Sequence, residues 1–165
     1  MRTVLFFLSL SFLLTAAAVS AAPNGRSPLP YDVARDDAAG TLTLSTPFYT
    51  FRHNLKKGGA LDMIRLAHGK AENLLVTPVE AGVRVVGKDG GWFGELNVPD
   101  PKVTAGSPGK IVTVEVDCLL RDGKGRDADV LLRTTYEYHW GFVKVKREFV
   151  FPAKPVRIGA IGVLD

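Results

Sequence analysis

Apolar and polar residues alternate with a period of two over most of the chain from Thr41 onward. The alternation is cleanest in three stretches. In "IVTVEVDCLL", Val112, Val114, Val116, Cys118 and Leu120 fall on one side, with Thr113, Glu115 and Asp117 on the other. In "VLLRTTYEYHW", Val130, Leu132, Thr134, Tyr136, Tyr138 and Trp140 share a side, opposite Arg133, Thr135, Glu137 and His139. After Gly141, "FVKVKREFVF" sets Val143, Val145, Phe149 and Phe151 against Lys144, Lys146 and Glu148. Successive side chains of a strand point to opposite faces, so each stretch predicts a strand with one buried and one solvated face.

Weaker signals fill the rest. "TLTLSTPFYTFRH" alternates until Pro47, which cannot donate to a ladder and predicts a break or an edge. "NLKKGG" reads as a turn, and "ALDMIRLAHGK" as a strand, with a short helix over 60–67 as the alternative. "NLLVTP" and "GVRVVGK" predict short strands; "DGGWFGELNVPDPKVTAGSPGK" predicts a long loop or an interrupted strand. "VRIGAIGVL" is apolar on both sides, as a strand covered from both sides is. No helical period extends beyond two turns. The expected fold is all-β, an antiparallel sandwich.

The first residues change the picture of compartment. Met1-Arg2 is followed by the apolar run "VLFFLSLSFLL" and then by "TAAAVSAAP", with Val19 and Ala21 placed for cleavage after Ala21. A membrane span needs about 20 apolar residues, and this run is shorter. Residues 1–21 therefore read as a cleaved signal peptide, 22–40 as an extended lead-in and 41–165 as the sandwich domain. The expected location is secreted or periplasmic. Cys118 is the sole cysteine, so no internal disulfide forms and stability must come from packing.

Charge excludes one class of partner. The formal charge is +4, Arg2 leaves with the leader, and the remaining bases are interspersed with acids, whereas nucleic-acid binding needs a basic stripe. No G-x-S-x-G, P-loop or dinucleotide motif is present, and no cofactor is implied. "RDGKGRDAD" offers Asp122, Asp127 and Asp129 as oxygen donors but lacks the alternating acids of a calcium loop, so a hairpin turn is expected.

Two passages carry a family resemblance. "LTLSTPFYTFRHNLKKGGALDMIRLAHGKAENLL" is similar to the opening of galactose-mutarotase-like supersandwich domains. "TYEYHWGFVKVKREFVFPAKPVRIG" resembles the carbohydrate-active branch of that superfamily, including the small-chain domain of large β-galactosidases; Pro155, Arg157, Ile158 and Gly159 match its recurring step. The resemblance implies a large sandwich that handles sugars. It also implies continuation past Ile158–Gly159, so the chain is either the N-terminal part of a longer protein or completes its sheet at the C-terminal edge with a partner chain. The family's histidine acid finds no match in His53, His68 or His139, the resemblance sets its glutamate base beyond Asp165, and no catalytic residue is assigned.

Candidate glycan-binding residues come from the polar strand face and one loop. Arg133, Glu137 and His139 share a face that can grip hydroxyls through charge-assisted hydrogen bonds; mixed charge on alternate positions also describes an ordinary solvated sheet. Trp92 follows two glycines on an expected loop, where its indole either stacks on a sugar ring or anchors the loop in the core. Three readings of function follow: a non-catalytic carbohydrate-binding domain, part of a lyase, glycosidase or epimerase, and an assembly domain that pairs through an open sheet edge.

Overall fold

The computed structural model describes residues 3–7, 31–68, 72–87, 91–107, 109–140, 142–152 and 157–164. These residues form two antiparallel sheets packed as a sandwich, and their regular structure is strand apart from one 3-10 turn, Glu95–Asn97. The smaller sheet is a meander of β2 (Asp32–Asp36), β3 (Thr41–Ser45), β4 (Tyr49–Asn54) and β5 (Ala60–Leu66). The larger runs β1 (Thr3–Phe7), β11 (Val143–Val150), β10 (Asp127–Tyr138), β9 (Val112–Arg121), β7 (Trp92–Gly94), β6 (Glu80–Val85) and β12 (Ile158–Leu164), with β8 (Lys102–Ala105) also paired to β9.

The three strong alternations become the centre of the larger sheet. Along β9 the even-numbered residues from Val112 to Leu120 are buried, and along β10 those from Ala128 to Tyr138 are. Leu42, Leu44 and Phe51 of the smaller sheet join Val114, Leu132 and Tyr138 in one core. Each such side chain contributes about 1.5–3 kcal/mol by leaving water.

Four expectations change. The sheet starts before Thr41: Asp32–Asp36 pairs with β3, and Tyr31 is buried. A polar stretch forms this strand because an edge strand has one partner, and only Val33 of β2 is half-buried. Residues 22–30 lie outside the described residues, as does the leader reading apart from Thr3–Phe7. "NLLVTP" is not a strand. Instead Asn73 caps β5, accepting from the Ile64 amide at 2.9 Å and donating to the Asp62 carbonyl at 2.8 Å. Trp92, expected on a loop, stands instead in the short strand β7, which with β8 answers to the interrupted-strand alternative for this stretch. Finally, β12 is not covered on both sides: it ends its sheet, pairs with β6, and exposes Gly159 and Ala160. Its glycines and alanine, rather than burial, account for its lack of polar side chains.

The β4–β5 turn locks the two sheets together. Gly58 donates to the Val98 carbonyl at 2.7 Å, its own carbonyl accepts from the Cys118 thiol at 3.1 Å, and its φ is +64°. A Cβ there would stand 2.2 Å from the Glu95 carbonyl oxygen, a backbone atom that cannot swing away. Gly58→Ala is therefore expected to cost about 2 kcal/mol or more in urea unfolding; a loss below about 0.5 kcal/mol would mean that this contact is not tight in solution.

Candidate functional site

The outward face of the larger sheet carries the polar residues singled out above, arranged in cross-strand rows by the register. One row runs Lys102, Asp117, Arg133 and Glu148 across β8, β9, β10 and β11, with charge alternating in sign. Arg133 Nε donates to Asp117 Oδ1 at 2.9 Å, so its guanidinium is already engaged. The row of Thr113, Glu137 and Lys144 lies four residues further along β10, about 14 Å away. There Lys144 Nζ donates to both Glu137 oxygens, at 3.3 and 3.2 Å, and His139 Nε2 stands 3.5 Å from Glu137 Oε2. The Lys144 ammonium holds the Glu137 carboxyl below the usual carboxylate range, so it is an ionised acceptor of hydrogen bonds.

Beside this row an open groove of about 270 Å3 lies on the surface of the paired strands β8 and β9, lined by Thr104, Ala105, Gly106, Thr113 and Glu115. Thr113 sits opposite Glu137 and Glu115 opposite Thr135. Neighbouring strands lie about 4.8 Å apart, which places the groove and the Glu137–His139 pair on one continuous polar surface of hydroxyls and carboxylates.

At the same end of the sandwich the surface turns aromatic. The β10–β11 hairpin closes with the His139 amide donating to the Phe142 carbonyl at 3.0 Å. Its rings stack: His139 and Phe142 have centroids 4.4 Å apart and planes 13° apart. Phe142 is nevertheless 53% exposed, and Phe48, on the β3–β4 turn, is 52% exposed with its ring 5.5 Å from that of Trp140. Thr46 fixes that turn, its hydroxyl accepting from the Phe48 and Tyr49 amides. Two phenols, buried Tyr31 and half-buried Tyr49, brace the hairpin from beneath. The Tyr31 hydroxyl donates to the His139 carbonyl at 2.9 Å, and the Tyr49 hydroxyl, 2.8 Å from it, reaches the Trp140 carbonyl at 3.0 Å. Burial raises the pKa of both, so both remain protonated donors.

Trp92 lies elsewhere. Its strand meets β9 at Gly94–Arg121, eight residues from Thr113 and hence about 27 Å from the Glu137 row. The half-buried indole lies over a row of three paired glycines, Gly162, Gly82 and Gly94. A Cβ would come within 2.8 Å of the ring at Gly82, 2.9 Å at Gly94 and 3.4 Å at Gly162. The ring supplies the apolar cover that these positions lack. Its Nε1 is buried with no hydrogen bond of good geometry, yet the N–H is near enough to the Glu80 carboxyl to oppose the rise that burial causes there. Of the four sequence candidates, Glu137 and His139 stand together, while Arg133 and Trp92 stand apart from them.

The remaining reactive side chains are structural. Cys118 is fully buried, and desolvation pushes its thiol up, which removes thiolate character. His53 is buried between the sheets; Nδ1 is 2.8 Å from the Gly59 carbonyl and Nε2 bonds the Tyr138 hydroxyl. A carbonyl only accepts, so Nδ1 carries the proton and the Tyr138 O–H donates to Nε2. Desolvation lowers this imidazole to about 4. His68 is exposed. A second buried polar group lies deeper: Arg147 donates to Glu95 Oε1 at 3.1 Å, and that oxygen also accepts from the Ala81 amide at 2.8 Å. Neither acid nor base was singled out by pattern. Among the described residues no cluster of His, Cys, Asp or Glu is arranged to hold a metal ion, and no helix is long and apolar enough to cross a membrane.

The fold thus defines an antiparallel β-sandwich, and the outward end of its larger sheet carries a surface groove lined by Thr104, Thr113 and Glu115, with Glu137 on the neighbouring strand and the His139–Phe142 stack at the hairpin beyond. The sequence matches no family model and no curated protein.

Proposed function

We propose that the chain is an exported carbohydrate-binding β-sandwich domain, whose binding surface is the β8–β9 groove together with Glu137, His139 and Phe142. The observation that carries this reading is the juxtaposition of hydroxyl and carboxylate groups with an aromatic ring that is half in solvent. A pyranose has hydroxyls around its rim and an apolar C–H face. The ionised Glu137 and the side-chain oxygens of Glu115 accept from the hydroxyls, Thr104 and Thr113 exchange hydrogen bonds with them, and Phe142 packs on the C–H face. Because Phe142 is stacked on His139, and the hairpin is tied to Tyr31 and Tyr49, the ring is held before a ligand arrives, which limits the ordering cost of binding. The resemblance to the mutarotase-like supersandwich, where such sandwiches handle sugars, supports the same ligand class.

Glycan arrays followed by calorimetry test this. A panel member should bind, and Phe142→Ala and Glu137→Gln should each weaken it by about tenfold without changing the unfolding midpoint. Trp92→Ala, about 27 Å away, should leave affinity intact. Silence across the panel, or equal affinity in wild type and Phe142→Ala, would end this reading.

A further inference from the structure

Acids on the outward face of the larger sheet differ in what stands opposite them. Asp117 faces Lys102 on β8 and Arg133 on β10, and Glu137 faces Lys144 on β11. Opposite charges placed in this way support a sheet. Glu115 lies between those two rows, exposed, and faces a threonine on either side, Thr104 of β8 and Thr135 of β10. The bases diagonal to it, Lys102 and Arg133, are the two that stand opposite Asp117, and Arg133 Nε donates to Asp117 at 2.9 Å. Its other diagonal neighbour on β10 is an acid, Glu137. Lys146 stands opposite Thr135, two strands from Glu115 and about 10 Å away.

This row has a definite chemistry. Thr104, Glu115 and Thr135 set a hydroxyl, a carboxyl and a hydroxyl in line across three strands, at spacings of about 5 Å. Thr104 and Glu115 line the groove, and none of the five lining residues is basic. The group that suits such a row donates several hydrogen bonds from one atom and carries positive charge. An ammonium does both, with three donors and no acceptor. A sugar hydroxyl has a single donor, and a uronate or sulfate would set like charge beside the acid.

From this we infer that the groove takes a glycan with an unacylated amino sugar, its ammonium seated on Glu115 and flanked by the Thr104 and Thr135 hydroxyls. The inference rests on the glycan-binding reading of the same groove and narrows it from sugars in general to cationic ones. An N-acetyl group on that nitrogen removes the charge and leaves a single N–H, so the site discriminates between glycans that differ there alone. Charge-assisted hydrogen bonds are about twice as strong as neutral ones, which on an open surface amounts to about tenfold in Kd.

Calorimetry at about pH 6, where an amine is protonated, tests this with equal-length oligomers of glucosamine and of N-acetylglucosamine. The glucosamine oligomer should bind about tenfold more tightly, and the difference should narrow at about 1 M salt. Glu115→Gln keeps the size of an exposed side chain, so it should abolish the difference without moving the unfolding midpoint. Glu148→Gln removes an equal formal charge from a residue opposite Arg133 and should leave the difference in place. Equal or tighter binding of the acetylated oligomer overturns the inference. So does a difference that survives Glu115→Gln, or one that Glu148→Gln abolishes as well. In each of those cases a glycan whose affinity falls with Phe142→Ala leaves the broader reading standing. If neither oligomer binds, the amino-sugar inference falls, and the broader reading falls with it only when the whole glycan panel is silent.

Discussion

Arg147→Ala is expected to destabilise the protein by about 2–4 kcal/mol, more than any single change on the outward face. The reason is what it leaves behind. Glu95 is fully buried, and Arg147, 7% exposed, is its counter-charge at 3.1 Å. Without the guanidinium, Glu95, which burial already raises to about 7, takes the proton, and the cost falls on the hydrogen bonds Arg147 gave to Glu95 and to the Val79 carbonyl and on the space its side chain leaves. The pair is not an optimal one, however: Glu95 Oε2 and Arg147 Nε, with Thr134 Oγ1 directly opposite Arg147 on β10, have no hydrogen-bond partner. Two ions withdrawn from water and only partly satisfied can match, but rarely exceed, apolar packing of equal volume. The double variant Glu95→Gln with Arg147→Met keeps a side-chain carbonyl at position 95 to accept from the Ala81 amide. It should therefore recover to within about 1 kcal/mol of wild type. Urea unfolding of the two singles and the double measures this. A single-variant loss under about 1 kcal/mol would show that the pair is not buried in solution.

The second large effect is a pH dependence that the wild-type protein conceals. Desolvation raises the Glu95 carboxyl from 4.5 to about 7, against the pull of Arg147. Across that window the folded chain keeps a proton that the unfolded chain gives up, so this contribution is complete below pH 4.5 and is lost as pH rises through 7. His53 acts in the opposite sense. Its imidazole falls from 6.5 to about 4 on burial, so the unfolded chain takes up a proton that the folded one refuses. That stability is present above pH 6.5 and is lost as pH falls to 4.

Each contribution amounts to about 3 kcal/mol, and the two windows overlap. Wild type should consequently show little slope between pH 4.5 and 6.5 from this pair of groups. Glu95→Gln uncovers His53, and stability should then climb with pH over that range. His53→Gln, less stable throughout because the Tyr138 and Gly59 contacts are altered, should instead decline toward pH 7. Denaturant midpoints collected at half-unit intervals from pH 4 to 8 decide the matter; parallel profiles for all three proteins would refute it.

Much of the larger sheet is readable from residue order because its strands are long. Ten residues of β9 and twelve of β10 repeat the alternation often enough to fix both strand and face. Short strands do not. β2 presents a single half-buried residue, Val33, and its polar sequence gives no period; β7 has three residues, too few for alternation to register. "NLLVTP" misleads in the other direction, since its leucines suggest a strand although Asn73 uses its side chain to cap β5. One signal was available and carries the buried pair: Arg147 has the parity of Val143, Val145 and Phe149, so a charge stands on the inward face of β11. Its partner was not, because Glu95 reaches the core from an irregular turn with no period of its own.

The candidate site divides in the same way. Glu137 and His139 are two apart on one strand, so their shared face follows from the pleat. Arg133 shares that face too, but which cross-strand neighbour it meets depends on register, and register gives it Asp117. Phe48 and Phe142 lie in turns, where no period says which way a ring points. Their closeness to Trp140 and His139 arises when Tyr31 and Tyr49 tie two distant segments to one hairpin.

Taken alone, the order of residues determined the class of fold, the inward and outward faces of the long strands and the lack of disulfide support, because these depend on local periodicity and composition. Tertiary structure decided the sheet order, the burial of Arg147 against Glu95, the glycine row beneath Trp92, the place of β12 at the end of the larger sheet and the placing of the groove beside Glu137. Each of those is a contact between residues far apart in the chain, set by register and sheet packing, which short-range alternation does not encode.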